Sequence, residues 1–274
     1  MVLFEYSGSE ITVTHTRTPK PRPEEFFMHT HTHAELYVFL SGKGIYHIEG
    51  SEYSLEPGDI LLMRPGESHY IEIDPCESYE RIVVWFNTDL FSVLDRENVL
   101  MLPLSRRKAG TLNMYRRSDF QNQGYLDCIL SMVSGDADPI KIFVNLINIL
   151  QQIGTAFKEK LGTDDSHETP EQKIIAYINE NLDQKLDLQS ICERFYISRA
   201  QLCRVFRRAT GTTVGKYITV KRLYACRQSI LNGEPIGKVC QMYGYREYST
   251  FYRAYLRQFG HSPIHDSQSV KKQK

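Results

Sequence analysis

Two hydrophobic periods divide this chain. Between residues 26 and 86 the apolar positions come in short runs broken by turns. ELYVFL is followed by SGKG, IYHIE by GS, EYSL by EPGD, ILLM by RPGE and HYIEI by DP, and RIVVWF closes the series. Short runs separated by Gly and Pro turns predict an antiparallel barrel or sandwich. Residues 1–25 are polar, with Pro19, Pro21 and Pro23 at alternate positions, and predict an extended arm. From residue 125 the spacing becomes helical. Residues 125–133 and Pro139–Leu161 are predicted helices, the second with Ile140, Phe143, Ile147, Leu150 and Phe157 at helical spacing. Apolar residues at 142, 146, 149 and 153 make its stripe wider than a solvent-facing helix needs. Packing on the barrel accounts for the surplus, and so does a partner helix.

Further on, one pattern is written twice. LQSICERFYISRAQLCRVFRRATG ends at Gly211, and IGKVCQMYGYREYSTFYRAYLRQFG ends at Gly260. Ile191 and Cys192 match Val239 and Cys240 at an offset of 48. Past a one-residue insertion in the turn, Leu202, Arg204, Phe206 and Gly211 match Phe251, Arg253, Tyr255 and Gly260 at an offset of 49. Asp187 is placed to cap a helix over Leu188–Phe195, and Ser198 to cap a second one that Gly211 ends. Leu202, Val205 and Phe206 fall on one stripe; Arg199, Ala200, Cys203, Arg204 and Arg207 lie opposite. In the second copy Phe251 and Tyr255 form the stripe, and Tyr248, Ser249, Thr250, Tyr252 and Arg253 the outer face. Small residues, Cys192 and Cys240, sit where the helices of each copy would cross. This is a helix-turn-helix pattern whose second helix is free to enter a major groove.

Charge sharpens that reading. The chain is neutral overall, yet residues 170–274 carry 18 Lys+Arg and 8 Asp+Glu, net +10, against 15 and 25, net −10, in residues 1–169. A basic, helical, duplicated module has the electrostatic footprint of a phosphate-backbone binder. A length of 274 residues suits two domains of ordinary size. The opening MVLFEYSGSE lacks the basic and apolar regions of a secretory signal, and no uninterrupted apolar run approaches the ~20 residues that span a bilayer. The cysteines at 76, 128, 192, 203, 226 and 240 form no C-x-x-C pair and read as reduced, mostly buried thiols of a cytoplasmic protein.

Residues 170–264 resemble the DNA-binding domain of the AraC/XylS family of bacterial transcription regulators. The motifs that carry the resemblance are IIAYINENL, the first repeat copy, the joining segment VGKYITVKRLYACRQSIL, and IGKVCQMYGYREYSTFYRAYLRQFGHSP, in family order. Two departures stand out: Cys replaces the usual Ala at 192 and 240, and the chain after Ser262 and Pro263 reads IHD instead of ending in a Tyr–Arg pair. The resemblance implies that the first recognition helix reads bases through Arg199, Ala200, Cys203 and Arg204, and the second through Tyr248, Ser249, Thr250, Tyr252 and Arg253. Arginine suits guanine O6 and N7, hydroxyls suit several edges, and an alanine methyl suits thymine. Lys216, Lys221 and Arg222, on a joining helix over 216–231, are expected at phosphates, where contacts position without specifying. A homodimer formed by the helical region after the barrel is implied as well, with RNA polymerase as a further partner.

The barrel region has its own constellation. His29, His31 and Glu35 are spaced H-x-H-x3-E, with Gly42 seven residues beyond Glu35, and PGDILLMRPGESH ends on His69. These resemble the two motifs of the cupin superfamily, a small jelly-roll barrel, over about residues 26–86. In metal-binding cupins the four matching positions hold the metal, and imidazole with carboxylate suits Zn, Fe, Mn or Ni. Since His33 alternates with His29 and His31, one polar strand face lining an organic-effector pocket explains the same run.

The expected chain is therefore α+β. Residues 1–161 form an N-terminal antiparallel jelly-roll (cupin-like) domain for ligand sensing and dimerisation, with the barrel over about 26–86 and helices over about 125–161. Residues 162–171, GTDDSHETPE, form a linker, and residues 172–266 an all-α domain with two helix-turn-helix motifs. The expected function is sequence-specific binding of double-stranded DNA, controlled by a small-molecule effector, a sugar or related metabolite, in the barrel. It needs no catalysis, no cofactor and no membrane. Two competing classes are a metal-dependent cupin enzyme or metal sensor fused to a DNA-binding domain, with a divalent metal on the four ligands, and an architectural DNA binder whose barrel only dimerises.

Overall fold

The alternating runs fold as antiparallel strands. In chain order they are β1 (Val2–Ser7), β2 (Ile11–Thr18), β3 (Ala34–Ser41), β4 (Gly44–Ile48), β5 (Ser51–Ser54), β6 (Ile60–Met63), β7 (His69–Ile73), β8 (Tyr79–Phe86) and, after the short helix α1 (Leu102–Ser105), β9 (Met114–Tyr115). The computed structural model describes residues 1–91, 95, 97–121, 124–161 and 168–272. By its internal contacts the chain divides into two units, Met1–His167 and Glu168–Lys274. Residues 162–167 of the expected linker lie outside the described residues.

The strands form a six-stranded sheet in the order β1-β2-β8-β3-β6-β9 and a three-stranded sheet in the order β5-β4-β7. This corrects the expected arm. Residues 1–25 contribute two full strands, and β2 runs along β8 from Ile11↔Phe86 to Thr18↔Tyr79. Its Ile11 and Val13 are buried while threonines alternate onto the other face. Threonine is polar in composition but fits a half-buried strand, so the segment looked like an arm.

Strand alternation separates two cores. Leu36, Val38, Ile60, Leu62, Ile82, Val84 and Phe86 face the helices α2 (Gly124–Met132) and α3 (Pro139–Leu161). Tyr37, Phe39, Leu61, Met63, Tyr79 and Val83 face the small sheet, against Tyr46, Ile48, Ile71 and Ile73. Covered on both sides, β3 reads as a nearly continuous apolar run. Gly42 turns the chain between β3 and β4 with φ +115° and a Cβ there would lie 3.1 Å from the Ser78 carbonyl oxygen.

The bounds of α3 are those its period predicts, but its buried face is corrected. Ile142, Leu146, Ile149, Leu150, Ile153 and Phe157 are fully buried, while Ile140 is 74% exposed and Phe143 and Ile147 are half-buried. Two neighbouring rows of the helix both have helical spacing, and only the position of the sheet decides between them. By length and composition α3 could also cross a membrane, yet that row lies in the core of the N-terminal unit.

The second unit is helical: α4 (Pro170–Glu180), α5 (Leu188–Phe195), α6 (Arg199–Thr210), α7 (Val214–Leu231), α8 (Ile236–Met242), α9 (Tyr248–Phe259) and α10 (Pro263–Lys272). The Asp187 carboxylate accepts from the Ser190 amide at 2.8 Å, the Ser198 hydroxyl from the Gln201 amide, and Gly211 ends α6 in the left-handed region. One core joins Ile175, Ile178, Ile191, Leu202 and Phe206 to Val214, Tyr217 and Ile218 of α7. Another joins Val239, Cys240, Phe251 and Tyr255 to Leu223, Cys226 and Ile230. The two ends of α7 therefore serve different helix pairs. The IHD departure supplies an anchor for α10, because Asp266 accepts from the Tyr255 hydroxyl and from Arg227 Nε at 2.9 Å. Of the six cysteines only Cys226 and Cys240 are buried; Cys76 and Cys203 are exposed, which corrects the expectation of mostly buried thiols.

Candidate nucleic-acid interface and barrel cavity

The two helix-turn-helix copies share the backbone of their turn: the Ile197 amide donates to the Cys192 carbonyl, and 48 positions on the Tyr245 amide donates to that of Cys240. Tyr196 ends α5 with φ 54°, and Gly244, 48 positions on, has φ 81° at the same point of its turn. The insertion then lengthens the second turn before Glu247, which occupies the cap position of α9 without a side-chain hydrogen bond. The second recognition helix thus lacks the cap that Ser198 gives the first. Arg199, Ala200, Cys203 and Arg204 are exposed on the first two turns of α6, as are Tyr248, Ser249, Thr250 and Arg253 on α9, with Tyr252 half-buried. Such positions at the start of a recognition helix are the ones that reach base edges in this motif.

The three residues expected at phosphates divide. Lys216 is exposed in the first turn of α7, and Lys221 Nζ stands 5.8 Å from the Tyr217 ring. Arg222 has another task. Its Nε donates to the Leu182 carbonyl at 2.8 Å and Nη2 to that of Gln184 at 2.6 Å, so it braces α7 against the segment between α4 and α5.

In the first unit a cavity of about 330 Å³ opens between the two sheets. Its walls include Phe26, Tyr37, Tyr46, Tyr79, Arg81, Val83 and Trp85, with His29 and Glu35. The inward residues of β8, Tyr79, Arg81, Val83 and Trp85, escaped the sequence reading; their alternate spacing was the available signal. Burial pushes the Tyr79 phenol up to about 12 and raises the Tyr37 and Tyr46 phenols well above their ordinary value, so all three are neutral hydroxyls at pH 7.

All four histidine-cluster residues lie together, with His29 and Glu35 on the lining of this cavity, in unequal roles. His31 donates from Nδ1 to the His33 carbonyl at 2.8 Å and from Nε2 to Glu35 at 2.6 Å. Both partners are acceptors only, so the ring makes both bonds as an imidazolium. Burial alone would lower its pKa, but the Glu35 hydrogen bond and charge outweigh burial and raise it. Burial likewise opposes ionisation of Glu35, and the His31 hydrogen bond overcomes it, holding the carboxyl well below the usual range. Trp85 Nε1 donates to the same carboxylate at 2.7 Å.

His29 and His69 differ. Each donates Nδ1–H to a backbone carbonyl, of Phe27 at 3.0 Å and Glu67 at 2.8 Å, which leaves Nε2 bare. His69 Nε2 is buried without a hydrogen-bond partner. One ligand atom from each of His29, Glu35 and His69 lies within 4.8 Å of the others. That tautomer and a 2-His-1-carboxylate set fit a divalent metal, with three ligands in place of the four expected.

Beneath the site lies a buried ion pair that the sequence reading missed. Arg107 pairs its two terminal guanidinium nitrogens, Nη1 and Nη2, with Glu67, at 2.5 and 2.7 Å, and also donates to Asn113 and to the Leu62 carbonyl. Glu67 is two residues from His69, whose Nδ1 it holds through its carbonyl.

Comparison with known proteins agrees with this division. Residues 20–99 match the model of an AraC-like ligand binding domain, and residues 191–268 that of a helix-turn-helix domain. The XylDLEGF operon transcriptional activator 1 of Pseudomonas putida is 23% identical over 249 residues, covering 87% of this chain and 75% of that one. The lactose operon transcription activator of Staphylococcus xylosus is 22% identical over 228 residues, covering 82% and 80%. Regulatory protein SoxS of Escherichia coli K12 is 34% identical over 99 residues, 36% of this chain but 92% of SoxS. With a ligand-binding domain and a helix-turn-helix domain matched in order, the chain belongs to the AraC/XylS family, DNA-binding transcription regulators that carry an N-terminal ligand-binding domain.

Proposed function

We propose that the regulator reads DNA through the exposed faces of α6 and α9 and that a small molecule in the barrel cavity controls this binding. One observation carries the first half. Positions 199, 200, 203 and 204 recur as 248, 249, 252 and 253, with arginine at the last of each set and their stripes buried beneath. The 18 residues of α7 rise about 27 Å, close to the ~34 Å between successive major-groove segments on one face of DNA. Arg204→Ala and Arg253→Ala should each cost about 1–3 kcal/mol at the cognate site and relax one base position, whereas Lys216→Ala should weaken all sequences alike. Competition binding against single-base operator variants tests this. Equal losses on cognate and random DNA would reduce Arg204 to an electrostatic role.

The cavity supports the second half, and similarity to a lactose operon activator supports a sugar or related metabolite as effector. Ile140 and Val144, one turn apart on α3 and 74% and 50% exposed, make an apolar face that a second copy would cover. That face supports the homodimer.

A second reading, a metal in the barrel, is favoured by the bare Nε2 of His69. His29, Glu35 and His69 would hold the ion, which would supply Lewis acidity or a charged ligand anchor. On the effector reading, EDTA leaves the melting temperature and DNA binding of tag-free protein unchanged. A drop in melting temperature on chelation, with stoichiometric metal that His69→Ala loses, would assign the triad to an ion.

A further inference from the structure

One cation in the barrel cavity keeps a buried donor nitrogen without a partner. Arg81 lies on the inward face of β8, and its guanidinium carbon stands 4.7 Å from the Tyr79 ring centroid and 5.6 Å from that of Phe26. Two aromatic rings therefore fix where its fork of donors points. Nη1 is buried and has no hydrogen-bond partner among the described residues. Glu35, the carboxylate on the same lining, is already held by His31 at 2.6 Å and Trp85 at 2.7 Å. Thr16 sits directly across from Arg81 in the β2–β8 register, and its Oγ1 is also buried without a partner. Directly opposed residues of an antiparallel pair point to one face, so the two unmatched groups share a side of the sheet.

Buried donors in a finished interior are almost always matched, and an unmatched one facing a cavity is a site for a ligand acceptor. A neutral hydroxyl would answer one N–H and leave the charge. A carboxylate answers both, because its two oxygens match the guanidinium fork. We infer that the effector is an acid, a small molecule whose carboxylate docks on Arg81 beside Thr16 and whose body lies along Phe26, Tyr79 and Trp85. This rests on the cavity being the effector site and narrows the ligand class there. A sugar acid and an aromatic acid present the same group, and the test separates them.

Trp85 is the sole tryptophan of the chain and lines the cavity, so its fluorescence reads binding in the full-length protein. Titration of EDTA-treated protein compares D-galacturonate with D-galactose, benzoate with benzyl alcohol, and aliphatic hydroxy acids with their amides. In at least one pair the acid should bind about 10- to 100-fold more tightly than its neutral counterpart. The pair that responds identifies the body. Arg81→Gln should abolish the preference and Arg81→Lys keep part of it, with ligand-free DNA affinity unchanged in both. Neutral members that bind as well as the acids, or an acid preference that survives Arg81→Gln, would overturn the inference and leave the effector cavity standing. If no acid and no neutral compound alters either fluorescence or DNA binding, the cavity reading falls with it.

Discussion

Glu67→Gln should destabilise the N-terminal unit by about 3–5 kcal/mol, the usual cost of removing one partner from a buried ion pair. The amide keeps the shape but leaves the Arg107 guanidinium charged and enclosed, with its side chain 0% exposed. Burial opposes ionisation of Glu67, and the Arg107 charge and hydrogen bonds outweigh it, bringing the carboxyl down from 4.5 to about 2. Because this folded-state value is depressed, the stabilisation is complete above the unfolded value near 4.5 and is lost as pH falls toward 2. A shift of that size corresponds to roughly 3 kcal/mol, in line with the mutational figure. Denaturant unfolding followed by Trp85 fluorescence isolates this unit, since the other has no tryptophan. Wild type should lose stability between pH 4.5 and 2 more steeply than Glu67→Gln. A double variant, Glu67→Leu with Arg107→Met, should recover part of the loss by removing both charges. If Glu67→Gln costs less than about 1 kcal/mol, the pair is solvated and this account of it fails.

The contrast between the units shows what a sequence carries. In the second, the cues are local. Asp187, Ser198 and Gly211 act on backbone groups within a few residues of themselves, so the helix ends they predict agree with the structure to the residue. The first unit depends on distant pairings. Glu67 and Arg107 are 40 residues apart, and no spacing rule connects them. Arg81 opens the run RIVVWF, whose apolar residues alone marked it as a strand; its unmatched nitrogen becomes visible only once Phe26 and Tyr79 close around it. The histidine cluster falls between these cases. The resemblance to the two cupin motifs grouped His29, His31, Glu35 and His69, but which of them keeps a bare nitrogen is decided by the carbonyls of Phe27, His33 and Glu67. Backbone direction at those points cannot be read from residue types.

DNA binding should show the largest response, a loss of about 10³- to 10⁵-fold between 50 and 200 mM salt if 6–10 phosphates are neutralised. Each phosphate contributes about −0.9 to the slope of log affinity against log salt, so the slope counts contacts. Several cations are unavailable: Arg227 pairs with Asp266, Lys238 with Glu234, and Arg222 holds two carbonyls. Arg199, Arg204, Arg207, Lys216, Arg253 and Arg257 remain exposed on or beside the reading helices. Both cores of the second unit are built from its own residues, so the fragment 168–274 should bind DNA alone. The comparison with the full chain then separates two electrostatic effects. Direct contacts are the same in both proteins and contribute equally to the two slopes per binding unit. The net −9 of residues 1–167, which the fragment lacks, repels phosphates through the solvent and is screened beyond about 10 Å at 0.1 M salt. The fragment should therefore bind more tightly than the full chain at low salt, with the advantage shrinking as salt rises. A fragment whose affinity is flat across this range would rule out groove docking by α6 and α9, since neither recognition helix can approach base edges without passing the phosphates.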